Sequence, residues 1–391
     1  MFPLLLLALL SPALQDGCLK CDHLGVLPCP NHADTPEERP APENPLLFCS
    51  VAAACTGCAG TLWIDCPKCA GGPRSAEVEA QRASVTAWMQ QTPLESQVGH
   101  TLQRCETHRF ELVVDVEVLP DGAKKMKGHT LMHKMALDLE HVAAKVAEHY
   151  AIQDVDYRAK MRMWIFTTLQ DHQKAMEKFL GTVTGGDFKM LGRDPVFSVW
   201  TERGNFDTVP RVRTLFAHNA GHMLLSNAFQ STWVGDVGGG WLDAGLGHWY
   251  EYERFGRTTN YCFEEATLAD SWEGGQWRAP IRKRLASEPD PFLPALFQKR
   301  TGDMNAKEKA LCWSFYDFLL AEHRDKLRPL MIALKKNDRR EKTASDLFNE
   351  NVGLTLVAAE AAWREWVAAN YPTKGDEPRT TAEKDKDKKK G

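Results

Sequence analysis

His218-Asn-Ala-Gly-His222 is followed, nineteen residues on, by Trp241-Leu-Asp-Ala-Gly-Leu-Gly-His248-Trp-Tyr-Glu251. Residues four apart on a helix lie on one face, so both imidazoles of the first stretch can reach one ion. Spacing alone is weak evidence. Thirteen histidines in 391 residues give about 0.4 such pairs by chance. His129 with His133 supplies another, which reads as an exposed first helical turn. The second stretch, itself helical in pattern from Leu242 to Phe255, gives the first its context. On that helix His248 lies one turn beyond Ala244 on the same face, Asp243 points about a quarter turn away, and Glu251 is a further turn along.

Working outward, Phe110, Leu112, Val114, Val116 and Val118 alternate with Glu111, Asp115 and Glu117. That is the period of a half-buried strand, ending at Pro120-Asp-Gly122. Leu131, Met135, Leu139, Val142, Val146 and Tyr150 then repeat at helical spacing. Met163–Thr168 and Val196–Thr201 are further strand candidates, with Gly185 and Gly186 breaking the chain between them. Pro210 can open the helix that carries His218. The order suits an α+β lobe, with helices packed on a mixed or antiparallel sheet. Beyond it the pattern is almost all helical: Leu242–Phe255, Lys307–Glu322, Lys326–Lys335 and Val357–Asn370. Trp313, Phe315, Phe318 and Leu319 form a thick apolar face that reads as core.

The two opening stretches resemble those of the gluzincins, metallopeptidases whose H-E-x-x-H helix is followed by a helix bearing W-L-x-E-G-x-A. Trp241, Leu242 and Gly245 match the second motif, and Gly247 stands where the family has Ala. The resemblance runs over most of Cys105 to Pro372, including Leu347-Phe-Asn-Glu-Asn-Val-Gly353 and Trp363-Arg-Glu-Trp366. It implies a sheet with helices followed by a helical lobe, and it implies zinc on His218 and His222. It also sets the general base on Asn219 and the third ligand on Ala244, where this chain has neither glutamate. An amide can orient a metal-polarised water but cannot take its proton, and losing such a base forfeits on the order of a hundred- to ten-thousand-fold in rate. A methyl group at Ala244 leaves two protein ligands where catalytic zinc sites use three. His248 is the best substitute from the sequence; the bland reading is a histidine hydrogen-bonded in the cleft wall.

Eight of the eleven cysteines fall between Cys18 and Cys69, spaced as C-x-x-C pairs: Cys18 with Cys21, Cys55 with Cys58, and Cys66 with Cys69. Cys29 and His32 complete the pattern as C-x-x-H. Seven residues separate Cys21 from Cys29 and Cys58 from Cys66, so the head reads as a knuckle unit written twice. Two such turns close a tetrahedral zinc site without an open position. Taken in chain order, Cys55, Cys58, Cys66 and Cys69 supply one structural site, and Cys18, Cys21, Cys29 and His32 the other, with Cys49 as a rival ligand. Cys55-Thr-Gly-Cys-Ala-Gly60 and Cys66-Pro-Lys-Cys-Ala-Gly-Gly72 are similar to modules of the cysteine-rich domain of DnaJ-type chaperones. In that family the first and fourth modules share an ion, as do the second and third, which leaves an interleaved assignment open. A disulfide framework is the competing reading and a redox role a third. Cys105, Cys262 and Cys312 are read as buried apolar packing.

Met1–Ala13 carries an apolar run from Leu4 to Leu10 and a Ser-x-Ala cleavage pattern, a signal peptide over residues 1–16 that implies a secreted or periplasmic protein. The parts are then a cysteine-rich head over 17–74, a helical linker over 75–104, a metallopeptidase-like domain over 105–372 and a charged tail over 373–391. A net charge of -4 over balanced acids and bases gives no global field for nucleic acid, and no later segment is long and apolar enough to span a bilayer. The expected function is that of a peptidase-like protein without peptidase activity, a binding or scaffold module for a protein or peptide ligand with a structural zinc head. The alternative is a metal-dependent hydrolase using His218, His222 and His248, with Asp243 or Glu251 as base.

Overall fold

The computed structural model describes residues 18–21, 25–32, 45–69, 76–192, 194–202, 206–229, 233–265 and 271–374. The expected signal peptide and the tail beyond residue 374 lie outside them, as does all but the last residue of Thr35–Pro45, a Pro- and Glu-rich stretch that reads as a linker within the head. The fold is α+β, with a cysteine-rich N-terminal region and a helical C-terminal lobe. Contacts divide it into two units: residues 1–44 with 48–90, and residues 45–47 with 91–391. The stretch expected as a linker is therefore shared. Helix Ala76–Trp88 belongs to the first unit and helix Pro93–Val98 to the second.

In the first unit, strands Val26–Pro28 and Trp63–Asp65 pair antiparallel, Val26 opposite Asp65 and Pro28 opposite Trp63. A one-turn helix, Ser50–Ala53, follows Cys49. Phe48 stacks on Trp88 with ring centroids 5.3 Å apart. Apart from cysteine, the buried apolar side chains among the described residues here are few: Val26, Ala52 and Val85.

The second unit is built on a mixed sheet. Its three inner strands, Phe110–Asp115, Met161–Phe166 and Val196–Trp200, run parallel. Parallel neighbours require crossovers, and the helices Gly128–Tyr150 and Leu169–Leu180 supply them. Arg104–Thr107 and Phe188–Met190 pair antiparallel on the outer sides, and Leu46–Cys49, whose first residues belong to this unit, lies at the edge beyond Arg104–Thr107. Val113, Trp164, Phe166 and Val196 face Leu94, Val98 and Met176. Because side chains alternate along a strand, Leu112, Val114, Met163 and Ile165 are left for the opposite face, and all four are buried. Helix Gly128–Tyr150 packs there against strand Phe110–Asp115 and against helix Val209–Asn227. The strand expected to reach Val118 is shorter: it ends at Asp115, and Val118–Asp121 instead pairs with Lys124–Lys127 in a separate hairpin. His133, expected on an exposed turn, is buried, with its Nε2 3.2 Å from that of His129.

Helix Val209–Asn227 carries Pro210 in its first turn and is buried along almost its whole length, the behaviour of a helix at the centre of a domain. Helix Gly240–Phe255 packs beside it, and Ala306–Glu322 packs on the other side of Gly240–Phe255. Trp241, Trp277, Trp313 and Trp363 are fully buried in this lobe, so the aromatics read as core are core. Gly245 allows the close approach: a Cβ there would stand 2.6 Å from the carbonyl oxygen of Cys312 on the neighbouring helix.

Candidate metal centres

The head assembles two donor sets, each with all its ligand atoms within 4.8 Å of one another: Cys18, Cys21, Cys66 and Cys69, and Cys29, His32, Cys55 and Cys58. The chain-order grouping, which joined Cys55 and Cys58 to Cys66 and Cys69 and joined Cys18 and Cys21 to Cys29 and His32, is corrected to a crossed one. The antiparallel ribbon is the cause. Residues just before Val26 meet residues just after Asp65, and residues just after Pro28 meet those before Trp63. First pairs with last and second with third, as in the interleaved arrangement. Cys49 is in neither set.

Within the sets, Sγ atoms of Cys18 and Cys66 are 3.8 Å apart, those of Cys21 and Cys69 3.9 Å, and those of Cys29 and Cys55 4.0 Å. A disulfide needs about 2.05 Å, whereas two thiolates on one tetrahedral zinc, each bonded at about 2.3 Å, stand about 3.8 Å apart. His32 Nε2 lies 3.2 Å from Cys58 Sγ. Burial opposes ionisation of Cys55, yet the Asn31 amide, 3.3 Å from its sulfur, and the N–H groups of Cys58 and Gly57 bring it down to about 6. For Cys66, burial is likewise outweighed, by the N–H groups of Cys69 and Lys68, and the thiol falls to about 7. Turns that aim N–H groups at these two sulfurs favour their thiolates, the form that binds metal, while burial pushes Cys58 up to about 11 and Cys21 upward as well. These sets could hold a metal ion such as zinc.

In the larger unit His218 and His222 do face one point: their Nε2 atoms are 3.1 Å apart. The groups completing the cluster are Cys262 and Glu265, which reading the sequence missed. The four ligand atoms of His218, His222, Cys262 and Glu265 lie within 4.8 Å of one another, and all four residues are buried. After helix Gly240–Phe255 the chain turns at Gly256, in the left-handed conformation, and a short turn of 3-10 helix, Phe263–Glu265, brings Glu265 back over the histidines. Its Oε2 is 2.9 Å from His218 Nε2 and accepts from the Cys262 N–H at 3.2 Å. Cys262, expected as inert packing, has its sulfur 3.6 Å from the same oxygen and 3.2 Å from Lys189 Nζ.

The opposite nitrogens of both rings meet carboxylates. His218 Nδ1 is 3.3 Å from Glu251, and His222 Nδ1 is 3.1 Å from Asp243. Metal-bound imidazoles are commonly oriented in this way. His248 groups with His218 and Glu251, and its Nε2 lies 3.1 Å from Glu265 Oε1. Its ring packs edge-on against Tyr261 and Trp277, with centroids 5.0 Å away in each case. Gly247, where the resembled motif has Ala, is required by contact: a Cβ there would stand 2.5 Å from His222 Nε2.

Neither Asp243 nor Glu251 is a free base. Asp243 accepts from Trp233 Nε1 at 3.2 Å and Thr301 Oγ1 at 2.9 Å. Glu251 accepts from the Thr259 N–H and from Asn260, each at 2.7 Å. Asn219 is fully buried; its Nδ2 donates to the Leu215 carbonyl at 2.9 Å and its Oδ1 accepts from Lys189 Nζ at 3.1 Å. Ala244 is buried as well and offers no donor atom. Lys189 also pairs with Glu264 at 3.0 Å. Burial works against the Lys189 charge, but Cys262 and Glu264 hold the ammonium. For His222, burial and Lys189 lower the pKa and Asp243 more than restores it, to about 9. His218 is likewise raised, against burial, by Glu265, whose own carboxyl is held well below its usual range by His248 and His218 despite burial.

Beside this cluster a cleft of about 620 Å³ is lined by Arg211, Arg213, Leu215, Phe255, Arg257 and the Thr259–Tyr261 stretch that covers Glu251. No helix among the described residues is long and apolar enough to cross a membrane. No family model matches the chain, and no curated protein matches it.

Proposed function

We propose that this is an exported, metallopeptidase-like protein without peptidase activity, a binding or scaffold module that carries a zinc-holding head. The observation that carries the reading is Asn219, buried where a working base would have to meet water and substrate, with both ends of its amide already engaged. Asp243, Glu251 and Glu265 are also buried and engaged, so none of these three is poised to take a proton from an incoming water. In the hydrolase alternative, with His218, His222 and His248 on one ion, His248 Nε2 would have to give up Glu265 Oε1, which lies 3.1 Å from it. The crossed sets of the head support structural zinc, since each already supplies four ligands and leaves no open position. The neighbouring cleft, with Arg257 at its wall, is the place for a peptide or protein ligand.

The test is cleavage. Zinc-loaded full-length protein, incubated with a mixture of unstructured peptides and followed by mass spectrometry, should leave them intact. Fragments that form with wild type and vanish with His222→Ala would overturn the reading.

A further inference from the structure

We infer that His218, His222, Cys262 and Glu265 form a third, closed metal centre, inside the larger unit, which takes a zinc-like divalent ion and serves stability rather than catalysis. The inference goes beyond the head and uses ligands that the resembled peptidases do not. Three observations converge on it. The donor set of two imidazoles, one thiolate and one carboxylate suits zinc and its neighbours, and not magnesium or calcium, which take oxygen ligands. The geometry is compact: two Nε2 atoms 3.1 Å apart, against about 3.3 Å expected for two nitrogens each bonded at about 2.0 Å to one tetrahedral ion, with Glu265 Oε2 2.9 Å from His218 Nε2. The surroundings are already those of a bound metal. Carboxylates of Glu251 and Asp243 back the two histidines, His248 backs the second oxygen of Glu265, and Lys189 Nζ stands 3.2 Å from the Cys262 sulfur.

Glu265 thus does from a following turn what Ala244 cannot do from the helix. Four protein ligands fill a tetrahedron, and all of them are buried, so no position is left for water or a substrate oxygen. His248 is a positioning residue here. It acts on the metal only through Glu265, and Asp243 and Glu251 act only through the rings they touch.

Metal analysis and zinc-edge X-ray absorption of the intact wild-type protein test the inference. Three ions per chain are expected, with eight sulfurs shared among them, about 2.7 per zinc. Two ions with seven sulfurs, about 3.5 per zinc, would place metal in the head alone and overturn it. One ion with a single sulfur would establish this centre and sink the head's. Cys262→Ser should remove one ion, while Cys312→Ser, an equally buried thiol outside the set, should remove none. A full count retained by Cys262→Ser would also overturn the proposal. If that variant does not fold, the wild-type sulfur count still decides. Peptide cleavage by a protein with three ions would refute the non-catalytic reading and leave the ion count standing, so the two failures are distinguishable.

Discussion

In the head, ligands sit in pairs on tight turns, some of them partly exposed, around almost no apolar core. In the larger unit they come from a long helix and a distant turn, every one buried among tryptophans and tyrosines. A region that cannot repay its ordering entropy by burial depends on cross-links or metal. One with a sheet, crossover helices and five buried tryptophans among its described residues has a core of its own. Similar donor chemistry should therefore do different work: metal builds the head and tightens the larger unit.

The largest effect should follow from breaking a head set. Structural zinc contributes about 10–16 kcal/mol of apparent folding free energy in small domains. Cys58→Ser should accordingly release one ion and unfold its half of the head, with the larger unit's near-ultraviolet circular dichroism preserved. A folded head without that ion would erase the contrast between the regions. Next in size is a blow to the larger unit alone. Trp241, 1% exposed and stacked on Phe297 at 4.4 Å, should cost about 3–5 kcal/mol when cut to Ala. Urea unfolding followed by fluorescence reads that loss, and zinc titration of the head should not change.

Acid offers a comparable probe through two buried histidines that belong to none of the donor sets described above. Burial holds His149 and His172 down to about 4, with His149 Nδ1 2.9 Å from the Tyr250 hydroxyl and His172 Nδ1 2.9 Å from Ser198 Oγ. A depressed histidine favours the folded state above its unfolded pKa of about 6.5, and that contribution fades as pH falls towards 4. Each is worth at most about 3 kcal/mol, and His172→Asn should remove up to one proton from the slope of stability against pH over that window. Smaller still is Gly247→Ala, where the added methyl meets the His222 ring and overpacking costs about 1–3 kcal/mol. The thermal midpoint should drop, and the third ion should bind less tightly.

What the sequence disclosed divides along the same line. C-x-x-C pairs, the H-x-x-x-H face and the apolar periodicities are local, so the ligand turns of the head, the histidine helix and the core aromatics were all readable. Helices Leu169–Leu180 and Arg278–Ser287, rich in charge, were not. The crossing of the head pairs was hidden because it depends on two three-residue strands, one ending in Pro28, too short to show any period. Cys262 and Glu265 were hidden for another reason: they reach the histidines by a turn after Gly256, and no spacing rule ties that turn to a helix begun at Val209. Glu251 and Asp243 were noticed as bases, but which hydrogen bonds occupy them is a matter of tertiary packing.

Hydrogen–deuterium exchange of the full chain, with and without a strong chelator, tests the contrast most directly. Amides of the head, among them Cys29 bonded to the Leu62 carbonyl and Cys66 bonded to that of Gly25, should lose protection when metal is removed. Strands Phe110–Asp115, Met161–Phe166 and Val196–Trp200 should keep theirs. Unchanged protection in the head, or loss in both regions together, would contradict the division of labour between them.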